Sequence, residues 1–202
     1  MLSSLVQKVG DAIYTTVCPL QMQAWLTAEP VPYSARQSGT PFLPRIGEPW
    51  AGKLFDCAWF HFTADLPSNC RDGDPLVVRI DINGELCIVD DAGVPVRGLT
   101  SVKSTYDPRL GSPAKTVYRL PSSVIASGRV DLWADAAFND LFGVVWDQGR
   151  VVLAEVARCR EDVRDLYYDL ETLKHYVEAG AVPEAHAAKL NEDLATVARE
   201  LD

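Results

Sequence analysis

The sequence predicts a mainly β fold, an antiparallel β-sandwich or jelly roll, with one helix before it and a pair of helices after it. Short runs in which apolar and polar residues alternate predict the strands, and turn-forming residues separate these runs at regular spacing. Apolar residues that recur every three or four positions near both ends of the chain predict the helices. Because no helical pattern separates the central strand candidates, a parallel sheet is disfavoured.

Length, composition and charge restrict the number of domains and the classes of partner. The chain has 202 residues, 48% of them hydrophobic, which is enough for one or two domains with an apolar core. The formal net charge of −9 repels phosphates, so we expect neither nucleic acid nor a membrane surface as a partner. Apolar runs such as Leu141 to Trp146 are too short to span a bilayer.

The N-terminal residues and the cysteines bear on the compartment. Lys8 and Asp11 interrupt the first 17 residues, which do not resemble a secretory signal, so we expect a cytoplasmic protein. The cysteines are widely spaced and form no Cys-x-x-Cys pair, which argues against a zinc knuckle and favours buried, reduced thiols. They are Cys18, Cys57, Cys70, Cys87 and Cys159.

The chain divides into three predicted segments, of which residues 1–24 form the first. It is predicted to be helical, with Ser3 or Ser4 as a cap and one apolar face that packs against a larger body. The apolar face consists of Leu2, Leu5, Val6, Val9, Ala12 and Ile13.

Residues 25–156 are the predicted β-sandwich domain. Residues 58–66 alternate with a period of two, which predicts a half-buried strand with His61 facing outward. Asn83-Gly84 lies between two β-rich runs and predicts a hairpin with a type I′ turn, followed by a second turn at 91–93. The proline-rich stretch 30–50 predicts an irregular loop. Further strands are predicted at 115–120, 129–138, 143–147 and 150–156.

Residues 157–202 are the predicted helical neck. Its first helix carries a heptad seam, with the apolar positions Val156, Cys159, Val163, Leu166, Leu170, Leu173 and Val177. Gly180 and Pro183 end that pattern, and a second apolar stripe follows at Ala187, Leu190, Leu194, Val197 and Leu201. The short connection at 179–182 predicts an antiparallel helical hairpin.

A search for catalytic motifs assigns no catalytic and no metal-binding residue. The sequence contains no glycine-rich phosphate loop and no His-Glu-x-x-His motif, and its three histidines are far apart in sequence. Asp81, Asp90 and Asp91 surround the predicted hairpin. Acidic residues at such positions are usually turn formers rather than the paired carboxylates of a glycosidase.

Aromatic residues offer the one candidate for ligand binding, because aromatic rings stack on sugar rings, although large aromatics in a sandwich are more often core. Trp50 lies in a proline- and glycine-rich loop and is the tryptophan expected to be most exposed. His61 is either a sugar-facing group or an ordinary surface histidine, and Asn139 lies either in a ligand-facing loop or in a tight connection. The candidate carbohydrate-binding residues are Trp50, Trp59, His61 and Asn139.

Several short motifs occur in a fixed order. They are Trp50-Ala-Gly52, residues 56–63 with Leu66-Pro67, Asp81-Ile-Asn-Gly-Glu85, residues 91–95 with Gly98-Leu99, Ala136-Ala-Phe-Asn-Asp-Leu-Phe-Gly143, and 153–173. Over residues 10–178 their order and spacing resemble the N-terminal accessory region of glycoside hydrolase family 38, the class II α-mannosidases of the cytosolic and bacterial type.

This resemblance implies a jelly-roll, galactose-binding-like sandwich that is a non-catalytic domain of a hydrolase of carbohydrate metabolism. The domain would pack on a following catalytic barrel of the same polypeptide, shape its rim and help identical subunits assemble. That barrel would hold the zinc of a retaining α-mannosidase. Its His-x-Asp-x-Ala-Trp motif has no counterpart here, so no catalytic residue and no cofactor is assigned to this chain. The chain is expected to end where the barrel begins, either as a fragment of a longer protein or as a stand-alone relative of the accessory domain.

Two other functions are weighed against the accessory domain. A carbohydrate-binding module would recognise mannose-containing oligosaccharides through an exposed tryptophan. An independent enzyme is disfavoured, because the sequence offers no nucleophile paired with a base.

Overall fold

The structure is a computed structural model that describes residues 2–70, 73, 75–101, 114–139, 148–180 and 183–200. The chain forms two compact units, Thr16–Ala157 and Met1–Thr15 together with Arg158–Asp202. The strand predicted at 143–147, with Trp146, lies outside the described residues, as do residues 140–143 of the motif at 136–143 and Leu201 of the last helical stripe.

Four helices and twelve strands are described, with 3₁₀ turns at Tyr33–Ala35 and Ser68–Cys70. The helices are α1 (Leu2–Asp11), α2 (Ser122–Ser127), α3 (Glu161–Glu178) and α4 (Glu184–Glu200). The strands are β1 (Tyr14–Pro19), β2 (Gln21–Thr27), β3 (Thr40–Phe42), β4 (Pro49–Ala51), β5 (Cys57–Asp65), β6 (Leu76–Asp81), β7 (Glu85–Val89), β8 (Pro95–Thr100), β9 (Val117–Arg119), β10 (Arg129–Ala137), β11 (Gly149–Arg150) and β12 (Leu153–Cys159).

The strands form two main sheets, which confirms the predicted mainly β, antiparallel class with an N-terminal helix and C-terminal helices. One sheet has the order β1-β12-β6-β9 and the other the order β3-β2-β5-β10-β7-β8, while β11 and β4 form a small separate pair. All neighbouring strands of the six-stranded sheet pair antiparallel.

The core lies between these two sheets. Phe60 and Phe62 of β5 are fully buried, and their rings stack with centroids 5.5 Å apart. Val78 and Ile80 of β6, from the other sheet, belong to the same buried cluster. The alternation predicted for this strand is therefore confirmed: even-numbered residues from Ala58 to Ala64 are buried, and the opposite face is available for polar groups.

The prediction of a hairpin at Asn83-Gly84 is wrong. Strand β6 belongs to the four-stranded sheet and β7 to the six-stranded sheet, so this dipeptide carries the chain from one sheet to the other. Asn83 alone of the two has a positive φ, 50°, and its N–H donates to Asp81 Oδ1 at 2.8 Å. The local turn signal is overridden because Ile80 and Ile88 must fill one core from opposite sheets.

The second predicted turn does form a hairpin, between β7 and β8. Asp90 Oδ1 accepts the N–H groups of Ala92 and Val94, at 2.9 and 2.8 Å. Gly93 has a φ of 79°, and a Cβ there would lie 2.6 Å from the Cβ of Tyr33. Only glycine fits this turn, because the loop that carries Tyr33 packs directly against it.

Three stretches differ from the predicted secondary structure. Helix α1 ends at Asp11, and β1 and β2 occupy most of 14–27, where the helical segment was extended to residue 24. The loop at 30–50 contains β3 and β4, and the short helix α2 lies between strands. For the strands a distant partner decides: β2, for example, pairs with β5 along its whole length, which no local periodicity reveals.

The helical unit has its own small cluster of buried residues. Leu5, Val6 and Val9 of α1 pack with Leu170 of α3 and Leu194 of α4. The heptad interpretation is wrong at its start, because the backbone at Val156 and Cys159 is in β12 and α3 begins at Glu161. Leu166, a predicted seam position, is 41% exposed. Within this unit α3 therefore packs against α1, and it does so through Leu170 rather than through a complete heptad seam.

Candidate functional site

The outer face of the six-stranded sheet gathers the polar and aromatic side chains that the core excludes. Its central strand β5 places Trp59, His61 and Thr63 on this face by simple alternation. On the neighbouring strands, Trp25 lies opposite Trp59, and Trp133 lies opposite His61. The sheet register therefore brings together residues that are more than 100 positions apart in sequence.

A loop covers part of this outer face. The Trp59 Nε1–H donates to the carbonyl oxygen of Val31 at 3.0 Å, and the ring of Tyr33 meets Trp59 edge-on at 5.7 Å. The guanidinium carbon of Arg36 lies 3.9 Å from the ring centroid of Tyr33 and 4.5 Å from that of Trp133. This cation between two aromatic rings fixes the loop on the sheet.

His61 is held in one orientation by its neighbours. Its Nε2 lies 2.8 Å from Asp131 Oδ1, and its ring stacks on Trp133 with centroids 4.2 Å apart. Arg129 Nη1 donates to Asp65 Oδ1 at 3.1 Å, and its Nε lies 4.0 Å from Asp131 Oδ2. The carboxylate of Asp131 thus lies between His61 and Arg129, and that of Asp65 lies beside Arg129.

A groove of about 420 Å³ opens next to His61. Five of its lining residues carry polar groups, and Leu43 adds an exposed apolar side chain. Met22 also borders the groove, but its side chain packs against the core on the other face of β2. The polar residues are Gln21, Gln23, His61, Thr63 and Arg129. The volume falls within the range of roughly 300–1,000 Å³ typical of small-molecule sites, so the groove is a candidate site on the outer face.

The structure separates the four sequence-predicted site residues. Trp50, expected to be exposed, is 5% exposed: it lies in the core against Phe60 and Phe138, and its Nε1–H donates to the carbonyl oxygen of Ile82 at 2.7 Å. Trp59 is also buried, beneath the loop on the outer face. A buried indole satisfies its N–H internally, as both do.

The other two predicted residues are half-buried. His61 borders the groove. Asn139 lies after β10, where its Nδ2 donates to Glu85 Oε2 at 3.3 Å, and its buried Oδ1 has no hydrogen-bond partner among the described residues. Trp59 and His61 share the outer face, whereas Trp50 is in the core, so the four residues do not form one site.

Sequence reasoning missed Gln21, Gln23, Thr63 and Arg129. Thr63 was detectable, because the period of two on β5 places it on the same face as His61. The two glutamines were not, since residues 1–24 were interpreted as helical and β2 was not recognised. Arg129 is brought to this face by the pairing of β10 with β5.

Away from the groove, burial raises the pKa of one carboxyl group and of three thiols in the sandwich. Burial raises the pKa of Asp135, and the N–H of Ala136 partly offsets that rise. Burial also raises the pKa of the Cys57 and Cys87 thiols, to which Asp135 adds a further rise, and burial does the same for Cys18. Such thiols stay protonated at neutral pH and are poor nucleophiles.

Within the described ranges, no group of three or more His, Cys, Asp or Glu side chains is placed to hold a metal ion. Searched over the same ranges, no helix combines the length and hydropathy that a membrane span requires.

Comparisons with known proteins place the chain in a family. No curated protein matches the sequence. A family model described as alpha-mannosidase, jelly roll domain, matches residues 18–174, which is well over half of the chain and includes every described strand from β2 to β12. The chain therefore belongs to the α-mannosidase jelly roll domain family.

Proposed function

We propose that the chain is the non-catalytic N-terminal domain of an α-mannosidase, which supports a catalytic barrel of the same polypeptide and helps subunits assemble. The observation that carries the proposal is the exposed apolar surface of α3. Leu166, Tyr168 and Tyr176 are 41%, 47% and 56% exposed on this one helix. The family match extends to residue 174, so most of α3 belongs to what the family shares.

The surface available for docking is smaller than the sequence suggests. The apolar face of α1 was expected to pack against a larger body, but Leu5, Val6 and Val9 are buried against α3 and α4 within the helical unit. Among the described residues, the exposed α3 surface, defined as Leu166 and Tyr176, and Val197 of α4 remain for a partner. Tyr168 is about 200° from Leu166 around the helix and faces another direction. Aromatic side chains with a polar end are typical of protein interfaces.

The carboxylates near the predicted hairpin support a non-catalytic role. Asp81 Oδ1 accepts the N–H of Asn83, and Asp90 Oδ1 accepts two N–H groups of its turn. These side chains hold the backbone in its turns, as carboxylates in turns commonly do. The proposal assigns the zinc and the retaining hydrolysis to the barrel, in a cytoplasmic enzyme.

The docking role can be tested by mixing the 202-residue chain with the catalytic barrel produced as a separate protein. Leu166→Asp combined with Tyr176→Asp places two charges on the exposed α3 surface and should weaken binding at least about tenfold, since interface energy concentrates in a few apolar anchors. The matched control is Val94→Asp combined with Val96→Asp, at residues of the sandwich that are 55% and 49% exposed. Sedimentation velocity would report the complex.

Equal binding by both double variants would contradict the assignment of α3 as the docking surface. Hydrolysis of an aryl α-mannoside by the purified 202-residue chain alone would contradict the non-catalytic role. Stoichiometric zinc in that purified chain would contradict the placement of the metal in the barrel.

Subunit assembly makes a separate prediction. Without the barrel, the exposed α3 surface should promote homodimers at high protein concentration, because exposed apolar surface tends to be covered. Light scattering over a concentration series would detect the dimer, and a monomer at every concentration would contradict this part of the proposal.

A second candidate function is recognition of mannose-type sugars, which the groove beside His61 favours. The residues expected to form an aromatic platform, Trp50 and Trp59, are buried, so a sugar would have to be held mainly by the polar groups of the groove.

A further inference from the structure

The groove beside His61 presents polar groups that form no hydrogen bond with the described part of the protein. Gln21 pairs with Thr63 across the β2–β5 ladder, and Gln23 pairs with His61, so these side chains lie in two adjacent rows on the outer face. Among the residues the structure describes, the amides of Gln21 and Gln23 and the hydroxyl of Thr63 form no hydrogen bond with another group. An amide offers both donors and acceptors, which matches the paired donor and acceptor character of sugar hydroxyls.

The charges around the groove disfavour an anionic ligand. Arg129 is the basic residue of the lining, and it already lies 3.1 Å from Asp65 Oδ1 and 4.0 Å from Asp131 Oδ2. Two carboxylates against one guanidinium leave this edge negative, and the formal charge of the chain is −9. A phosphate or carboxylate would be repelled, so the chemistry of the groove selects a neutral ligand.

The imidazole of His61 is fixed before any ligand arrives. Asp131 holds its Nε2 at 2.8 Å, and Trp133 covers one face of the ring. A side chain held in this way loses little conformational entropy on binding, which favours a specific site over a loose one. Leu43, which is 67% exposed, supplies the apolar contact that the C–H face of a pyranose requires.

We propose that this groove is a binding site for a neutral polyhydroxylated ligand, namely a single hexose unit at the end of a saccharide. Gln21, Gln23 and Thr63 bind its hydroxyls, and His61 forms one wall. The proposal deepens the second candidate function and rests on it, because it names the site and the charge class of the sugar. It does not depend on docking through α3.

Ligand-observed NMR on the 202-residue chain tests the site, with methyl α-mannopyranoside as the neutral probe and mannose 6-phosphate as the charged one. We expect saturation transfer to the neutral sugar with a dissociation constant on the order of 1 mM, and at least about tenfold weaker binding of the phosphate. Gln21→Ala combined with Gln23→Ala should weaken binding of the neutral probe about tenfold. Thr63→Val, which keeps the β-branched shape and removes the hydroxyl, should also weaken it.

Gln37→Ala is the matched control, since Gln37 is an exposed glutamine that does not line the groove; it should bind the neutral probe as the wild type does. Circular dichroism melts should show every variant folded, because all of these side chains are at least partly exposed. If the wild type binds the neutral sugar and the groove variants bind it equally well, the site is wrong but sugar recognition survives. If the wild type binds neither probe, or prefers the phosphate, the proposal is overturned, and the absence of all binding removes the second candidate function with it.

Discussion

The β-sandwich and the helical unit bury very different amounts of apolar structure. The sandwich core joins residues from both main sheets, including Phe60 and Phe62 of the six-stranded sheet and Val78 of the four-stranded sheet, which are completely buried. Among the described residues, the cluster of buried side chains in the helical unit has five members, from α1, α3 and α4. Because stability rises with the apolar area removed from water, we expect the sandwich to fold firmly and the helices to gain most from a partner.

The largest effect is expected where the sandwich core is broken. Phe60→Ala should lower the free energy of unfolding by about 3–5 kcal/mol, since it removes a completely buried ring and leaves a cavity. Phe55→Ala is the matched control: Phe55 is 63% exposed and has a φ of 69°, so the loss should be small. Urea unfolding followed by far-ultraviolet circular dichroism measures both, and similar losses would refute this description of the core.

A smaller and more local effect is expected in the helical unit. Leu170→Ala should cost about 2–4 kcal/mol, and only within that unit, because Leu170 is a buried centre of its cluster. Hydrogen exchange should then speed up in α1 and α3 while the β5 amides stay protected. Leu166→Ala, at the exposed position on the same helix, should change exchange little. Equal loss of protection in β5 would show that the two units do not differ as proposed.

Two buried tryptophans refine the comparison within the sandwich. Trp50→Phe removes the donor to the carbonyl of Ile82, a residue that is 2% exposed, so the orphaned carbonyl should cost about 1–3 kcal/mol. Trp59→Phe removes the donor to Val31, a partly exposed residue, so the cost should be lower. Thermal melts of the two variants give the order, and a larger loss for Trp59→Phe would reverse this assignment of core and outer face.

The smallest effect concerns the half-buried carboxyl of Asp135. Burial raises the pKa of Asp135 in the folded state, so the folded protein holds the proton more tightly than the unfolded chain. Stability should therefore fall as pH rises from the ordinary carboxyl pKa through the raised one. Asp135→Asn removes this cost: the variant should match the wild type below that window and be more stable above it. Denaturant midpoints measured across the acidic range check the sign, and a variant that loses stability above the window would contradict it.

Local sequence patterns were sufficient to predict those elements that only have to pack an apolar face against other apolar residues. The alternation on β5 and the apolar face of α1 follow directly from residue spacing, and both are seen. Patterns failed where the choice of partner mattered. Asn83-Gly84 carries a hairpin signal, yet nothing in that dipeptide specifies that β6 and β7 belong to different sheets.

The candidate site was less predictable than the fold for the same reason. Trp50 lies among prolines and glycines in sequence, but an aromatic cluster with Phe60 and Phe138 buries it. Gln21 and Gln23 reach the groove because β2 pairs with β5, some 40 residues further along the chain. His61 was identified because its position required only the period of its own strand.

The order of the four-stranded sheet has a consequence for synthesis of the protein. Strand β1 is an edge strand whose neighbour is β12, so the earliest strand made must wait for the latest. While the chain emerges from the ribosome, the backbone of β1 has no ladder to join, and an unpaired strand is prone to associate with other chains. The sandwich is therefore complete only after β12 has been synthesised, and until then a high rate of expression leaves β1 open to association with neighbouring chains.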